Sequence, residues 1–395
     1  MSVAFLSIRA SRRPWRLWAL LSAWTVAWMV PHLWRPGVSW HFFDQGARLL
    51  FSGDAAGGGL HLYADHPRLQ IGPLSFLIAE PLRLADPWHG RFVAIALMSA
   101  SGPVLLWLAA SLKLAGAQTM IPPHRLAFAG LVFLPVWTEL ATHFAHLDDV
   151  LALTFALLAL RSVEHQRAAL AGLLLGCAAD SKPWAAAFIC LIFVLPRAVR
   201  LRAGAAWVAA LGAAWLPFLL SDPATVRAGA FTIPNAASSA LRALGVAAAR
   251  TPSWDRPAQV ILGSTLGWLA VRTGRWPAAL FAVIAVRLLL DPGTYAYYTS
   301  GLVLAAVLVD LLLTTRRVPV FALGAALVVY AARATPLDAH LLGQLRAAYC
   351  IVALIALYLP YRQSIARRAH GPDTSRATPG SLPAPISGRS GAARR

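Results

Sequence analysis

Charge is scarce in this sequence. Of 395 residues, 13% are Asp, Glu, Lys or Arg, well under the roughly 25% of a soluble domain. Lysine is nearly absent, with Lys113 and Lys182 the two examples. Acids are rarer than bases, 16 against 35, giving a net charge of +19. Cysteine is limited to Cys177, Cys190 and Cys350. All three lie in apolar segments and none forms a CxxC pair. That excludes a disulfide framework and a cysteine metal site and leaves them as small core residues. Motifs are missing too: no HExxH, P-loop, GxSxG or dinucleotide fingerprint stands in a suitable setting. The glycine run "GDAAGGG" has no strand ahead of it and reads as a flexible loop.

Apolar residues take the space that charge leaves. They make up 58% of the chain, and the mean hydropathy is +0.61. This is the composition of a polytopic membrane protein. At roughly 20 apolar residues per span, fewer where neighbours cover the ends, there is room for about ten to twelve spans. The arginines sit in short clusters between apolar segments, the pattern of the positive-inside rule, and face anionic lipid headgroups. No soluble basic domain is present, so nucleic acid is not a partner.

The segments order as follows. Residues 1–13, with Arg9, Arg12 and Arg13, form a cytoplasmic basic N-terminus. The membrane domain fills 14–361. An uncleaved first span covers about 14–35, since no small-residue cleavage site follows the apolar run. A first external loop, 36–91, includes a short apolar stretch at 69–84 broken by Pro73, Glu80, Pro81 and Arg83, which reads as an interfacial helix. Spans fall at 92–112, 126–141 and 150–161, with a second external loop at 142–149. Two short apolar pieces then meet at "DSKP", a hairpin with Lys182 at its tip and Pro183 making the break. After a span at 205–221 comes a long external loop, 222–259. Further spans fit at 260–272, 277–290, 301–314, 320–333 and 345–360. Residues 362–395 form a disordered basic cytoplasmic tail. Both termini are then cytoplasmic. All acidic residues except Glu164, Asp310 and Asp373 fall on the external side.

Several residues invite chemistry. Asp44, in "WHFFDQG", is placed to act as a general base toward an alcohol; an ordinary loop acid or helix cap is the plainer reading. In "THFAHLDD", His143, His146, Asp148 and Asp149 open an apolar helix. The two aspartates suit three roles: capping the helix, binding a divalent cation, or orienting a sugar hydroxyl. Lys182 can hold a lipid phosphate, pair with Asp180, or snorkel. Arg68, Arg227 and Arg242 are further external cations. Tyr295, Tyr297 and Tyr298 form an interfacial aromatic belt or line a sugar pocket.

Three elements resemble a known family. They are Asp44 after the first span, "YADHPRLQIGPLSFLIAEPL", and "HLDDVLALTFALLALRSVEHQRAALAGLLLGCAADSKPW"; "DPGTYAYYTSGLVLA" resembles a late family element. The pattern is similar to the GT-C superfamily of integral-membrane glycosyltransferases, in particular bacterial polyprenyl-phosphate-mannose-dependent mannosyltransferases (glycosyltransferase family 87) and their actinobacterial relatives. The resemblance spans about residues 14 to 310. It implies an all-α polytopic bundle of GT-C type with interfacial helices in the first external loop. It implies inverting transfer of a sugar, mannose by this likeness, from a polyprenyl-phosphate donor to a glycan or glycolipid acceptor at the extracytoplasmic face of the cell membrane. It puts Asp44 in the catalytic position, with Asp148, Asp149, His146, Lys182 and Tyr297 binding substrate. No cofactor is implied, because a lipid phosphate is already an activated leaving group and a divalent cation is not required. The chain departs from the family pattern at Ile71-Gly72-Pro73, where many relatives have Tyr-Pro-Pro, and at Ala145, where many have Gly. The rival classes are a flippase for a lipid-linked saccharide and an inactive relative. Transporters carry midplane charges and repeats, whereas here the carboxylates stand at span ends and no clear repeat is seen.

Overall fold

A computed structural model of the chain describes residues 15–53, 57–84, 87–114 and 121–359. The basic N-terminus 1–13, part of the "GDAAGGG" loop and the tail 362–395 lie outside the described residues. Among the described residues the regular structure is helical, with a single isolated bridge between Pro234 and Arg250. The longer α-helices are α1 (Trp15–Met29), α2 (Trp40–Leu50), α3 (Pro73–Leu84), α4 (Pro87–Ser111), α5 (Pro123–Thr138), α6 (Leu147–Glu164), α7 (Ala168–Ser181), α8 (Arg197–Ser221), α9 (Asp255–Arg272), α10 (Ala279–Leu290), α11 (Tyr298–Leu313) and α12 (Ala339–Tyr358). Proline opens α3, α4 and α5 and the 3₁₀ helices Pro183–Val194 and Pro223–Ala230. Its fixed φ suits the first helical position and its missing N–H is one the helix does not use.

Four helices are long and apolar enough to cross a membrane: His89–Ser111, Pro123–Phe144, Arg197–Ser221 and Ala339–Tyr358. Five shorter apolar helices accompany them, Ala168–Ser181, Pro183–Val194, Trp276–Leu290, Tyr298–Leu313 and Val320–Ala334. Several helices stop earlier or run on further than apolarity alone predicts. The first, expected to continue to 35, leaves α geometry after Met29 and ends in a 3₁₀ turn, Val30–His32, around Pro31. The α5 helix continues as a π-helix, Glu139–Phe144. The span expected at 320–333 is divided into α, π and 3₁₀ pieces.

The hairpin with its tip at Lys182 is present, but its second arm is a twelve-residue 3₁₀ helix. A 3₁₀ helix rises about 2.0 Å per residue against 1.5 Å for an α-helix, so this arm reaches further than its length suggested. The first arm, α7, packs tightly on α8. A Cβ on Gly172 would stand 1.9 Å from the Ala203 carbonyl oxygen, and one on Gly176 would stand 2.5 Å from the Ala210 Cβ. Small residues four apart let two helices approach to backbone contact.

The first long loop folds back into the bundle. Gly46 of α2 lies against the ring of Phe76 of α3, and Phe43, Phe76 and Ala79 are fully buried. The α3 helix is capped from a distance, since the Leu74 N–H donates to Asp180 Oδ2 at 3.0 Å. Asp180 therefore serves α3 and is not the partner of Lys182.

Candidate functional site

The π-turn at the end of α5 leaves its last carbonyls without helical partners. The strap Gly37–Ser39 supplies them. The N–H groups of Gly37, Val38 and Ser39 donate to Thr142, His143 and Phe144 at 2.9, 2.8 and 2.8 Å. That contact docks α2 beside the "HLDD" turn. Ala145 closes the π-turn in the left-handed region, at φ +49°. This reversal aims His146 and the first turn of α6 inward. The N-cap residue His146 makes no side-chain cap bond, so the polar cluster is turned toward other helices.

The cluster is dense. His146 Nδ1 bonds Asp148 Oδ1 and lies 3.4 Å from Asp149 Oδ2. Lys182 Nζ reaches Asp148 Oδ2 at 2.7 Å and Asp149 Oδ2 at 3.2 Å. Arg287 of α10 stands 3.3 Å from Asp149 Oδ1 and 3.7 Å from Asp291 Oδ2. Its guanidinium lies between two rings, 4.3 Å from Trp184 and 4.0 Å from Tyr298. Asp148 and Asp149 are buried. Burial alone would raise the Asp148 carboxyl, but His146 and then Lys182 hold it well below the usual carboxylate range.

His146, Asp148 and Asp149 offer three ligand atoms within 4.8 Å of one another, a spacing that suits a divalent cation. Lys182 and Arg287 already answer the two carboxylate charges. The donor set is that of an ion-pair network.

This cluster forms part of the wall of a cavity of about 410 Å³. His146, Asp148, Lys182 and Tyr297 all line it. Asp149 supports the wall from behind through Lys182 and Arg287. Tyr297 lies on the His146 ring, centroids 3.9 Å apart, and Phe43 meets the same imidazole edge-on at 5.9 Å. Asp44 is not brought here. Its neighbours Phe42 and Phe43 line the cavity, while Asp44 is not among the lining residues and pairs with Arg48 one turn on.

The cavity also holds residues that sequence reasoning passed over. Asp255, Arg256, Arg287 and Asp291 line it. Asp255 is fully buried at the start of α9. Its Oδ2 accepts from Gln259 Nε2 at 3.0 Å. Burial, with Asp291 nearby, pushes its carboxyl up to about 7. Arg256 rests on neutral acceptors, the carbonyls of Gly229 and Phe231 and the side chain of Gln70. Arg68 is exposed at the cavity edge and has no polar partner among the described residues. A signal for Arg287 was available, since an arginine inside an apolar run, four residues before Asp291, is costly unless it is used.

The fold and the site define a helical bundle of membrane character with a charged and aromatic cavity at one end. No protein-family model, curated protein or solved structure matches the chain.

Proposed function

We propose that the protein is a membrane glycosyltransferase, which moves a sugar from a polyprenyl-phosphate donor to an acceptor hydroxyl at the extracytoplasmic face with inversion. The observation that carries this reading is the division of charge in the cavity. Lys182 and Arg287 are committed to carboxylates. Arg68 and Arg256 are not held by any acid among the described residues and stand at the same cavity. They are the groups to hold a lipid phosphate, as donors to its oxygens. Lys182 then organises the site and does not grip the phosphate directly. Trp184, Tyr295, Tyr297 and Tyr298 supply flat surfaces for a sugar ring. Asp291, at the same wall, can accept from one of its hydroxyls.

In the reaction the acceptor oxygen attacks the anomeric carbon and the bond to the phosphate breaks, through an oxocarbenium-like transition state. The developing phosphate charge falls to Arg68 and Arg256. Mannose is the sugar the family resemblance implies. A flippase for the same lipid would use the same cations but would transfer nothing. The deciding experiment offers purified protein radiolabelled polyprenyl-phosphate-mannose with a mixed acceptor extract. Label should pass to the acceptor in wild type and be strongly reduced in Arg68→Ala/Arg256→Ala. Donor binding without any transfer, from mannose and from other sugars, would replace the enzyme by a carrier.

A further inference from the structure

A transfer of this kind needs a base, and the cavity offers few. Asp44 stands outside it. Asp148 uses both oxygens, one toward His146 and the Asp149 N–H, the other toward Lys182. Asp291 accepts from the Gly293 N–H at 2.7 Å and faces Arg287. Asp255 has one free oxygen, but it is enclosed in the wall without accessible surface.

His146 differs from all of these. Its Nδ1 is tied to Asp148, while its Nε2 has no protein partner and is not enclosed. Asp148 is held as the carboxylate, and a carboxylate only accepts. The hydrogen of that bond therefore belongs to Nδ1, and in the neutral ring Nε2 carries the lone pair. Lys182 and Arg287 lie against Asp148 and Asp149, and Asp291 shares Arg287; the base acts from the neutral form of the ring. Tyr297 and Phe43 fix the ring plane.

We propose that His146, oriented by Asp148, is the catalytic base that takes the acceptor's proton at Nε2. This rests on the transferase reading given above. The acceptor O–H proton passes to Nε2, and the oxygen's electron pair forms the bond to the anomeric carbon. The bond from that carbon to the phosphate oxygen breaks, its electron pair leaving with the polyprenyl phosphate. Asp148 is the positioning residue and faces the imidazolium that results, the arrangement that serves histidine bases in acyl transfer. Lys182 keeps Asp148 from competing for the proton.

A base acts only in its unprotonated form, so transfer is followed across pH. Asp148, Asp149 and Tyr297 meet His146 directly, and Lys182 from the hairpin tip and Arg287 from α10 stand behind the two carboxylates. Asp255, pushed up to about 7 by burial, lines the same cavity, so any pH limb must be assigned by variants.

The test uses the full chain in lipid nanodiscs with radiolabelled polyprenyl-phosphate-mannose across pH 5–9. His146→Gln should lower transfer about 100-fold or more and remove the pH limb, with donor binding unchanged. Asp148→Asn should lower transfer less and displace the limb. Asp44→Asn should match wild type, and Asp255→Asn should keep the limb. A wild-type rate or an intact limb in His146→Gln would overturn the proposal while leaving the transferase reading in place. Should His146→Gln not fold, an unmoved limb in Asp148→Asn would overturn it. Nitrogen NMR of histidine-labelled protein, with the ring assigned by the variant, reads the tautomer without any substrate. A proton on Nδ1 supports the assignment, and one on Nε2 in the neutral ring overturns it. If wild type transfers no sugar at all, the transferase reading itself falls and the base with it.

Discussion

Ala145 holds a backbone conformation that costs an L-residue roughly 1–2 kcal/mol. It does so at φ +49°, fully buried, where the π-turn must reverse before His146. Ala145→Gly relieves that strain and returns part of the gain as unfolded-state entropy. A net stabilisation of up to about 1 kcal/mol is expected, read as a higher unfolding temperature in detergent. Asp255 gives a second residue-scale outcome. Its carboxyl titrates at about 7 in the folded chain, against roughly 3.9 when unfolded. The folded state holds this proton more tightly, so the stability linked to it is fully present below about pH 4 and is lost as pH rises through about 7. Asp255→Asn should therefore unfold at a higher temperature than wild type at pH 8. Its stability should also be flatter between pH 4 and 7; parallel curves would remove Asp255 as the cause. The sequence made His146, Asp148, Lys182 and Tyr297 visible because they break apolar runs or flank a helix start. It hid Asp255 and Asp291, since an acid in or at the edge of a loop looks like many others until folding buries it.

At the scale of elements, the seam between α7 and α8 depends on glycine. Gly172→Ala forces a methyl against the Ala203 carbonyl, and overpacking of this kind costs about 1–3 kcal/mol. Thermal unfolding should show it, with Gly204→Ala, which faces open space, as the quiet control. The hairpin tip carries a larger penalty. Lys182→Met leaves two buried carboxylates short of a cation, and breaking a buried pair costs about 3–5 kcal/mol. Asp180→Asn should cost far less, because Asp180 caps α3 and does not pair with the lysine. The hairpin was legible because Pro183 and two polar neighbours interrupt an apolar stretch. The 3₁₀ form of its second arm was not, since apolar residues in "PWAAAFICLIFV" carry no period that separates three residues per turn from 3.6. Likewise nothing in 69–84 announces that Phe76 will dock on Gly46. Local composition reports amphipathicity, whereas this docking is decided by a residue of another helix.

At the scale of the whole molecule, two helices run from the cavity to a second polar cluster. The α6 and α11 helices both start at the cavity. At the far end of α6, about 27 Å away by its rise, Glu164 accepts from the Lys113 N–H at 3.1 Å. At the far end of α11, Arg125 donates to the carbonyls of Asp310 and Thr314. Glu164 and Asp310 are two of the three acids that the positive-inside reading set apart from the rest. With the proposed orientation, Gly229→Cys should react with a membrane-impermeant maleimide in intact cells. His165→Cys should react only after permeabilisation, both in a chain lacking Cys177, Cys190 and Cys350. Labelling of both sites in intact cells would reverse or dissolve the proposed topology.

The ion-pair network also has an order in time. A ribosome delivers Asp148, Asp149 and Lys182 within a short stretch, and Arg287 only after the long segment that contains α8 and α9. Until then two buried carboxylates share one ammonium, and the nascent bundle holds an unbalanced negative charge at the future cavity wall. The arrival of α10 adds the guanidinium, which settles against Trp184 already in place, and Tyr298 covers its other side once α11 follows. Seating of Arg287 is then the step that commits the bundle, and a chain stalled before it should remain open to proteases and chaperones at the future cavity wall.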